Sequence, residues 1–257
     1  MSGSCGIVNP YTFKNKRAAK GEAYEPTHHE HYANTLSHAI GVLPSILIFS
    51  HMITSTHNSM QFYLMLVYGI FTTLLFCSST CYHFCELCYR EKREQPTLRF
   101  YLHICDRAAI YLFIAASYTP WLFLREYDCY GLNMKYLVWV FALLGILYQY
   151  NFHERYKTLE IVIYITIAAG PSIAIFNMKD QSGLDIMLFG GIIYLAGVIF
   201  FKMDGIIPFA HAIWHVFVLA GSSCHTYAVY STLLKPDIGT SNENNVDSSS
   251  LYSRVDL

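Results

Sequence analysis

Apolar residues gather along this chain into seven long runs separated by short polar loops: Tyr32–Ile53, Met60–Cys85, Phe100–Leu124, Tyr136–Phe152, Leu159–Met178, Ile186–Phe201 and Ile206–Leu234. A helix needs about 20 such residues to cross ~30 Å of hydrocarbon, and the fourth and sixth runs are the shortest, near the lower limit. The first run contains no Asp, Glu, Lys or Arg, and the third is interrupted only near its start by Asp106 and Arg107. Gly170 and Pro171 predict a kink in the fifth run. Pro208 falls in the first turn of the seventh, where a missing N–H matters little. The pattern predicts an all-α membrane protein, a seven-transmembrane helix bundle over residues 32–234. Residues 1–31 are polar and lack an apolar run, so no cleavable signal peptide is expected. Residues 235–257, rich in Ser, Asn and Asp, read as a disordered tail.

Composition agrees with this class. Of the 257 residues, 54% are hydrophobic and 14% charged, with a mean hydropathy of +0.31, whereas about a quarter of residues in a soluble domain are charged. A net charge of −1 supplies no concentrated basic surface, so nucleic acid is not an expected partner. Lys and Arg are spread unevenly over the loops. Eleven fall on one side of the membrane, in the N-terminal segment, at Arg90, Lys92, Arg93 and Arg99, and at Arg155, Lys157 and Lys202. Five fall on the other, at Arg125, Lys135, Lys179, Lys235 and Arg254. The positive-inside rule then places the N-terminus in the cytoplasm and the C-terminus in the lumen or outside the cell. The eight cysteines show no disulfide framework. Cys85-x-x-Cys88 lacks a second pair and points to reduced or palmitoylated thiols rather than to a metal.

This topology brings polar residues of four runs to one depth at the cytoplasmic end. The second run closes with Ser79 and His83, the third opens with His103 and Asp106, and the first opens with Glu30, Asn34 and His38 at spacings of four. The seventh opens with His211 and His215, which share a helical face about 6 Å apart along the axis. Ionisable groups inside a span are functional candidates by default. Three neutral imidazoles with a nearby carboxylate match catalytic zinc, which keeps a fourth position open for water. His83, His211 and His215 are the expected ligands of a Zn2+ ion that lowers the pKa of its water to about 7. Asp106 is expected to hold that water and accept its proton, and Ser79 to hydrogen-bond the developing oxyanion. The chemistry this suits is hydrolysis of an amide or ester, with a membrane lipid as substrate and its acyl chain inside the bundle. His225 lies about 21 Å beyond His211 at ~1.5 Å per residue, too far to join. His38 and Asn34 read as interhelical hydrogen-bonding groups, and His103 stays open between roles. His28, His29 and His31 read as exposed or interfacial, and Arg107 as snorkelling to the cytoplasmic interface.

Five stretches carry a resemblance. EHYANTLSH (Glu30–His38), Ser79-x-x-x-His83, Asp106 followed by IAASYTPWLFLRE (Ile114–Glu126), FHERYK (Phe152–Lys157) and DGIIPFAHAIWH (Asp204–His215) resemble the progestin and adipoQ receptor family, related to the hemolysin III proteins. The resemblance runs from residue 30 to about residue 217. It implies a zinc-binding cluster of a Ser, an Asp and three His at the cytoplasmic end of a seven-helix bundle, matching Ser79, Asp106, His83, His211 and His215. The superfamily is regarded as membrane hydrolases, and its adiponectin-receptor branch is associated with ceramide hydrolysis. Arg107 directly after Asp106 and the short N-terminal segment depart from that branch. The branch this chain resembles more is described through signalling and through endomembranes, Golgi or late endosome and lysosome, rather than the plasma membrane. The first expectation is therefore a zinc-dependent intramembrane lipid hydrolase linked to signalling. The alternative is a non-catalytic endomembrane receptor or scaffold, with structural zinc, whose cytoplasmic side engages signalling proteins and modulates kinase or Ras-type signalling. A transporter fits less well, because no pair of broken helices carries charged groups at mid-membrane.

Overall fold

Thr27 starts the first helix earlier than the apolar run alone predicts. Its hydroxyl accepts from Glu30 N (3.3 Å) while its own N–H donates to the Glu30 carboxylate (2.8 Å), a reciprocal capping box. The computed structural model describes residues 13–18, 25–90, 92, 94–127, 129–152 and 155–234. These form α1 (His28–Thr54), α2 (Ser59–Tyr89), α3 (Pro96–Leu124), α4 (Cys129–Phe152), α5 (Lys157–Ala169), α6 (Ser172–Ile175), α7 (Leu184–Lys202) and α8 (Ala210–Val229). A π-helical turn at Tyr230–Leu234 ends α8. The predicted tail at 235–257 and most of the N-terminal segment lie outside the described residues.

Among the described residues, five segments are long and apolar enough to cross a membrane: α1, α2, α3, Thr158–Ile175 (α5 continued into α6) and α7. At 24 and 20 residues, α4 and α8 also have the length to span ~30 Å. The predicted interruption of the fifth run is present, since α5 stops at Ala169 and the chain re-enters a short helix after Gly170 and Pro171. Among the boundaries that differ from the apolar pattern, three bear on the polar positions. α1 begins at His28 rather than Tyr32, which draws His31 into the packed interior at 4% exposure, although it reads from sequence as interfacial. α4 begins at Cys129 rather than Tyr136, so Lys135 belongs to a helix. α8 begins at Ala210, leaving Pro208 in the turn before it.

Large apolar side chains point outward, among them Leu36, Ile40 and Leu43 of α1, Leu144 of α4, and Phe189 and Ile199 of α7. A belt of this extent is consistent with a lipid-facing surface. Inside, Tyr68, Tyr111 and Trp121 anchor one core, and Leu75, Phe76, Ala109, Phe113 and Val218 form a second. α1, α2, α3 and α4 pack in succession, α7 packs on α8, and α8 returns to α1. α5 lies against α3 and α4, and α5 with α7 is not among the closely packed pairs. Arg125 pairs with Asp180 and Lys179 with Glu126 (3.0 Å), holding the α3–α4 and α6–α7 connections together at the end of the bundle away from Glu30.

Glu30 decides how α8 enters the bundle. Its carboxylate is fully buried, and the oxygen not used in the capping box accepts from Phe209 N at 3.1 Å. Phe209, at φ 58°, takes a left-handed conformation that a side chain adopts only when its surroundings impose it. Four residues earlier, Gly205 at φ 74° turns the chain beneath the N-terminal segment, where a Cβ would stand 2.4 Å from Arg17 Cα. The start of α1 thus sets the start of α8, and with it His211 and His215.

Candidate metal centre

α2 and α8 bring three imidazoles together. His83, His211 and His215 each offer a ring nitrogen, and these atoms lie within 4.8 Å of one another. Ring centroids are 5.1 Å apart for His83 and His211, 5.0 Å for His83 and His215, and 4.7 Å for His211 and His215. The spacing of four on α8 places the last pair on one face, as predicted. His83 and His215 are each 2% exposed, and His83 Nε2 has no hydrogen-bond partner. An imidazole buried in this way is unfavourable unless something takes up the lone pair.

The tautomer of His215 follows from its neighbours. Ser37 Oγ donates to the Asn34 carbonyl (3.0 Å) and stands 2.8 Å from His215 Nδ1. With its own proton committed, Ser37 accepts from Nδ1–H, which leaves the Nε2 lone pair for the site. On the other side, Asp204 Oδ2 lies 4.0 Å from His211 Nδ1, beyond hydrogen-bond distance but near enough for a charge interaction. An orienting group on the remote nitrogen is the usual support of a metal-bound histidine. Three neutral imidazoles suit zinc, copper, iron or nickel ahead of magnesium or calcium. A tetrahedral ion ~2.05 Å from each nitrogen would space them about 3.3 Å apart, within small side-chain adjustment of this arrangement.

The cluster lines one wall of a cavity of about 1120 Å3 that Ser79 and Asp106 also line. The Ser79 hydroxyl is close enough to interact with the Asp106 carboxyl, yet it makes no hydrogen bond of ordinary geometry. Away from the histidines the walls are mainly apolar, from Leu75, Phe113, Ile165, Leu188, Leu195 and Val218. The cavity lies between α3, α5 and α7, where the bundle is least tightly closed.

The remaining sequence candidates fall into place around it. His38 is stacked on His215 (centroids 3.7 Å, 19° between planes), and its ring is close enough to interact with the His215 backbone without a hydrogen bond of ordinary geometry. It thus bridges α1 and α8 and packs on a ligand candidate. Asn34 is buried and supplies the carbonyl that Ser37 uses. His103 stands outside the three-histidine cluster, with Tyr82 stacked on it at 4.4 Å and Arg107 Nε donating to its Nε2 at 3.0 Å. Arg107 does not snorkel. Its Nη1 donates to both oxygens of Glu160 on α5 at 2.6 Å, and both side chains are largely buried. His225 lies outside the cluster, as its sequence distance requires, but it lines the same cavity.

Sequence reasoning missed Ser37, the supporting place of Asp204, and Glu160. Ser37 sits inside the EHYANTLSH motif, one residue off the Glu30, Asn34 and His38 face, and a serine in an apolar helix usually bonds its own backbone. Asp204 opens the DGIIPFAHAIWH motif, which is a signal, although helical spacing does not connect it to His211. Glu160 stands alone among apolar residues near the start of α5, where an unpaired acid would be unfavourable, and that was the available clue.

Comparison with known proteins covers most of the chain. Residues 27–226 match the family described as Haemolysin-III related. The monocyte to macrophage differentiation factor of Homo sapiens is 38% identical over 223 residues, covering 87% of this chain and 92% of that protein. The Hemolysin-3 homolog of Bacillus subtilis is 32% identical over 206 residues, covering 78% and 92%. Hemolysin-3 of Bacillus cereus is 32% identical over 206 residues, covering 78% and 90%.

Proposed function

Because the chain belongs to the Haemolysin-III related family of membrane proteins, we propose that it is a seven-pass, zinc-binding lipid hydrolase that cleaves a ceramide-like amide or ester. The observation carrying this reading is the convergence of His83, His211 and His215 on the wall of a largely apolar cavity of about 1120 Å3, beside Asp106 and Ser79. That volume exceeds the usual range for small-molecule sites, and its apolar walls suit an acyl chain. Zinc held by three imidazoles supplies a Lewis acid and brings the pKa of a coordinated water to about 7.

The chain's own groups do the rest. Ser37 holds the His215 imidazole with Nε2 forward, and Asp204 stands 4.0 Å from His211 Nδ1. An Asp106 carboxylate oxygen accepts the proton of the attacking water and returns it to the leaving amine or alcohol. Ser79 Oγ–H donates to the carbonyl oxygen as charge develops there. The apolar walls exclude other water and keep the scissile group at the histidines. The loop charges support a cytoplasmic N-terminus and a luminal or extracellular C-terminus, with the centre at the cytoplasmic face. The resemblance supports an endomembrane setting, where the N-terminal segment and cytoplasmic loops meet signalling proteins.

The test is to purify the protein in detergent, measure bound zinc, and follow fatty-acid release from ceramides and other acyl lipids for wild type, Asp106→Asn and His211→Ala. Zinc with turnover in wild type, zinc without turnover in Asp106→Asn, and neither in His211→Ala support the reading. Zinc in wild type with no turnover on any acyl lipid would instead make the ion structural and the protein a receptor or scaffold.

A further inference from the structure

The cavity does not end in a purely apolar floor. His225 of α8 lines it, 8% exposed, and neither of its ring nitrogens has a hydrogen-bond partner. A buried imidazole left unsatisfied inside a membrane span is unfavourable, and polar groups retained there usually serve a ligand or a pathway. α7 is shaped to accommodate it. The ring lies against Gly190, where a Cβ would stand 2.7 Å from His225 Cδ2 and 3.0 Å from Nε2. Tyr194, four residues further along α7 on the same face, also lines the cavity, with its ring 5.7 Å from that of His225. Its hydroxyl is buried near Ser222 without a hydrogen bond of ordinary geometry. Two polar side chains from facing helices therefore meet in an otherwise apolar stretch of the cavity.

His225 stands ten residues beyond His215 on one helix, about 15 Å along the axis at ~1.5 Å per residue. An extended hydrocarbon advances about 1.25 Å per carbon, the projection of a ~1.5 Å bond, so the separation corresponds to about 12 carbons. We propose that His225 and Tyr194 form a polar subsite that hydrogen-bonds an oxygen substituent partway along the acyl chain, so that the cavity selects a chain hydroxylated near its middle. The inference rests on the acyl-lipid reading above and names the kind of chain that reading left open. A neutral imidazole offers one donor and one acceptor, and the phenol can serve as either, so a hydroxyl is matched in both roles. A bare methylene chain leaves both groups unsatisfied. With a net gain typical of a hydrogen bond in a buried site, the preference is about tenfold.

The test measures binding, independently of turnover. Zinc-loaded protein in detergent micelles is titrated with octadecanoic acid, 12-hydroxyoctadecanoic acid and 2-hydroxyoctadecanoic acid in competition with a fluorescent fatty acid. Wild type is expected to bind the 12-hydroxy acid about tenfold more tightly than the other two. His225→Leu should erase that preference while keeping zinc and the affinity for octadecanoic acid. Tyr194→Phe, which removes one hydroxyl and leaves the ring, should reduce it. Equal affinity of wild type for the 12-hydroxy and unsubstituted acids, as a resident water at His225 would produce, overturns the subsite and leaves chain binding standing. A preference that survives His225→Leu also overturns it. Failure to bind any of the three acids removes the acyl-lipid reading together with the subsite.

Discussion

Ser37 connects the first helix to the candidate centre through a single hydroxyl. It accepts from His215 Nδ1 at 2.8 Å and donates to Asn34 O at 3.0 Å, so its removal frees the imidazole to rotate or change tautomer. Ser37→Ala is expected to weaken zinc about 10- to 100-fold, read by competition with a chelating dye, while the protein stays folded. Asp106→Asn should do the reverse, keeping zinc and lowering turnover about 10²- to 10⁴-fold in the fatty-acid release assay. The histidines were legible because helical spacing and loop charge independently put them at one depth. Ser37 was not, since a hydroxyl that reaches a neighbouring helix has the same sequence signature as one that bonds its own turn. Arg107 was misread for a related reason: its partner Glu160 lies 53 residues away, and no local pattern joins them.

At the scale of helices, two buried polar contacts position the elements that carry the site. Glu30 fastens the start of α1 to the start of α8 through Thr27 N and Phe209 N, and His211 follows two residues after Phe209. Glu30→Ala should destabilise the protein by about 1.5–3 kcal/mol, the range for hydrogen bonds to a charged group, seen as a lower melting temperature with reduced zinc occupancy. Arg107 and Glu160 fasten α3 to α5 beside the cavity. Arg107→Leu leaves a buried carboxylate unpaired and should cost about 3–5 kcal/mol, with most of the loss recovered in Arg107→Leu/Glu160→Leu. A double variant as unstable as the single would contradict that account. The helix runs were visible in the hydrophobic pattern, but their ends were less so. α1 begins early because its first turn is polar and held by a capping box, a signature present as Thr27-x-x-Glu30. α8 begins late because Gly205 and Phe209 take left-handed conformations that depend on contacts from the N-terminal segment and α1.

At the scale of the molecule, the alternation of apolar runs and charged loops conveys a helical membrane bundle, and five segments among the described residues meet both the length and the apolarity of a span. The proposed seven crossings, α4 and α8 included, would put the termini on opposite sides. An Asn-x-Thr acceptor introduced after Leu234 should then be glycosylated in microsomes, and one introduced before Thr27 should not; modification of both or neither would contradict seven spans. The cavity was not legible from sequence, because it arises where α5 and α7 fail to close, and such a gap depends on tertiary packing rather than on any one segment's periodicity. It gives the three histidines a place to act, and their binding of a metal is the claim on which the functional account depends. The most direct measurement is the zinc K-edge absorption spectrum of the purified protein. The expected result is one zinc per chain with nitrogen and oxygen neighbours at about 2.0–2.1 Å, three of them imidazole, and loss of the signal in His211→Ala. A sulfur shell near 2.3 Å, indicating cysteine ligands such as Cys81 or Cys85, or full zinc retention in His211→Ala, would contradict it.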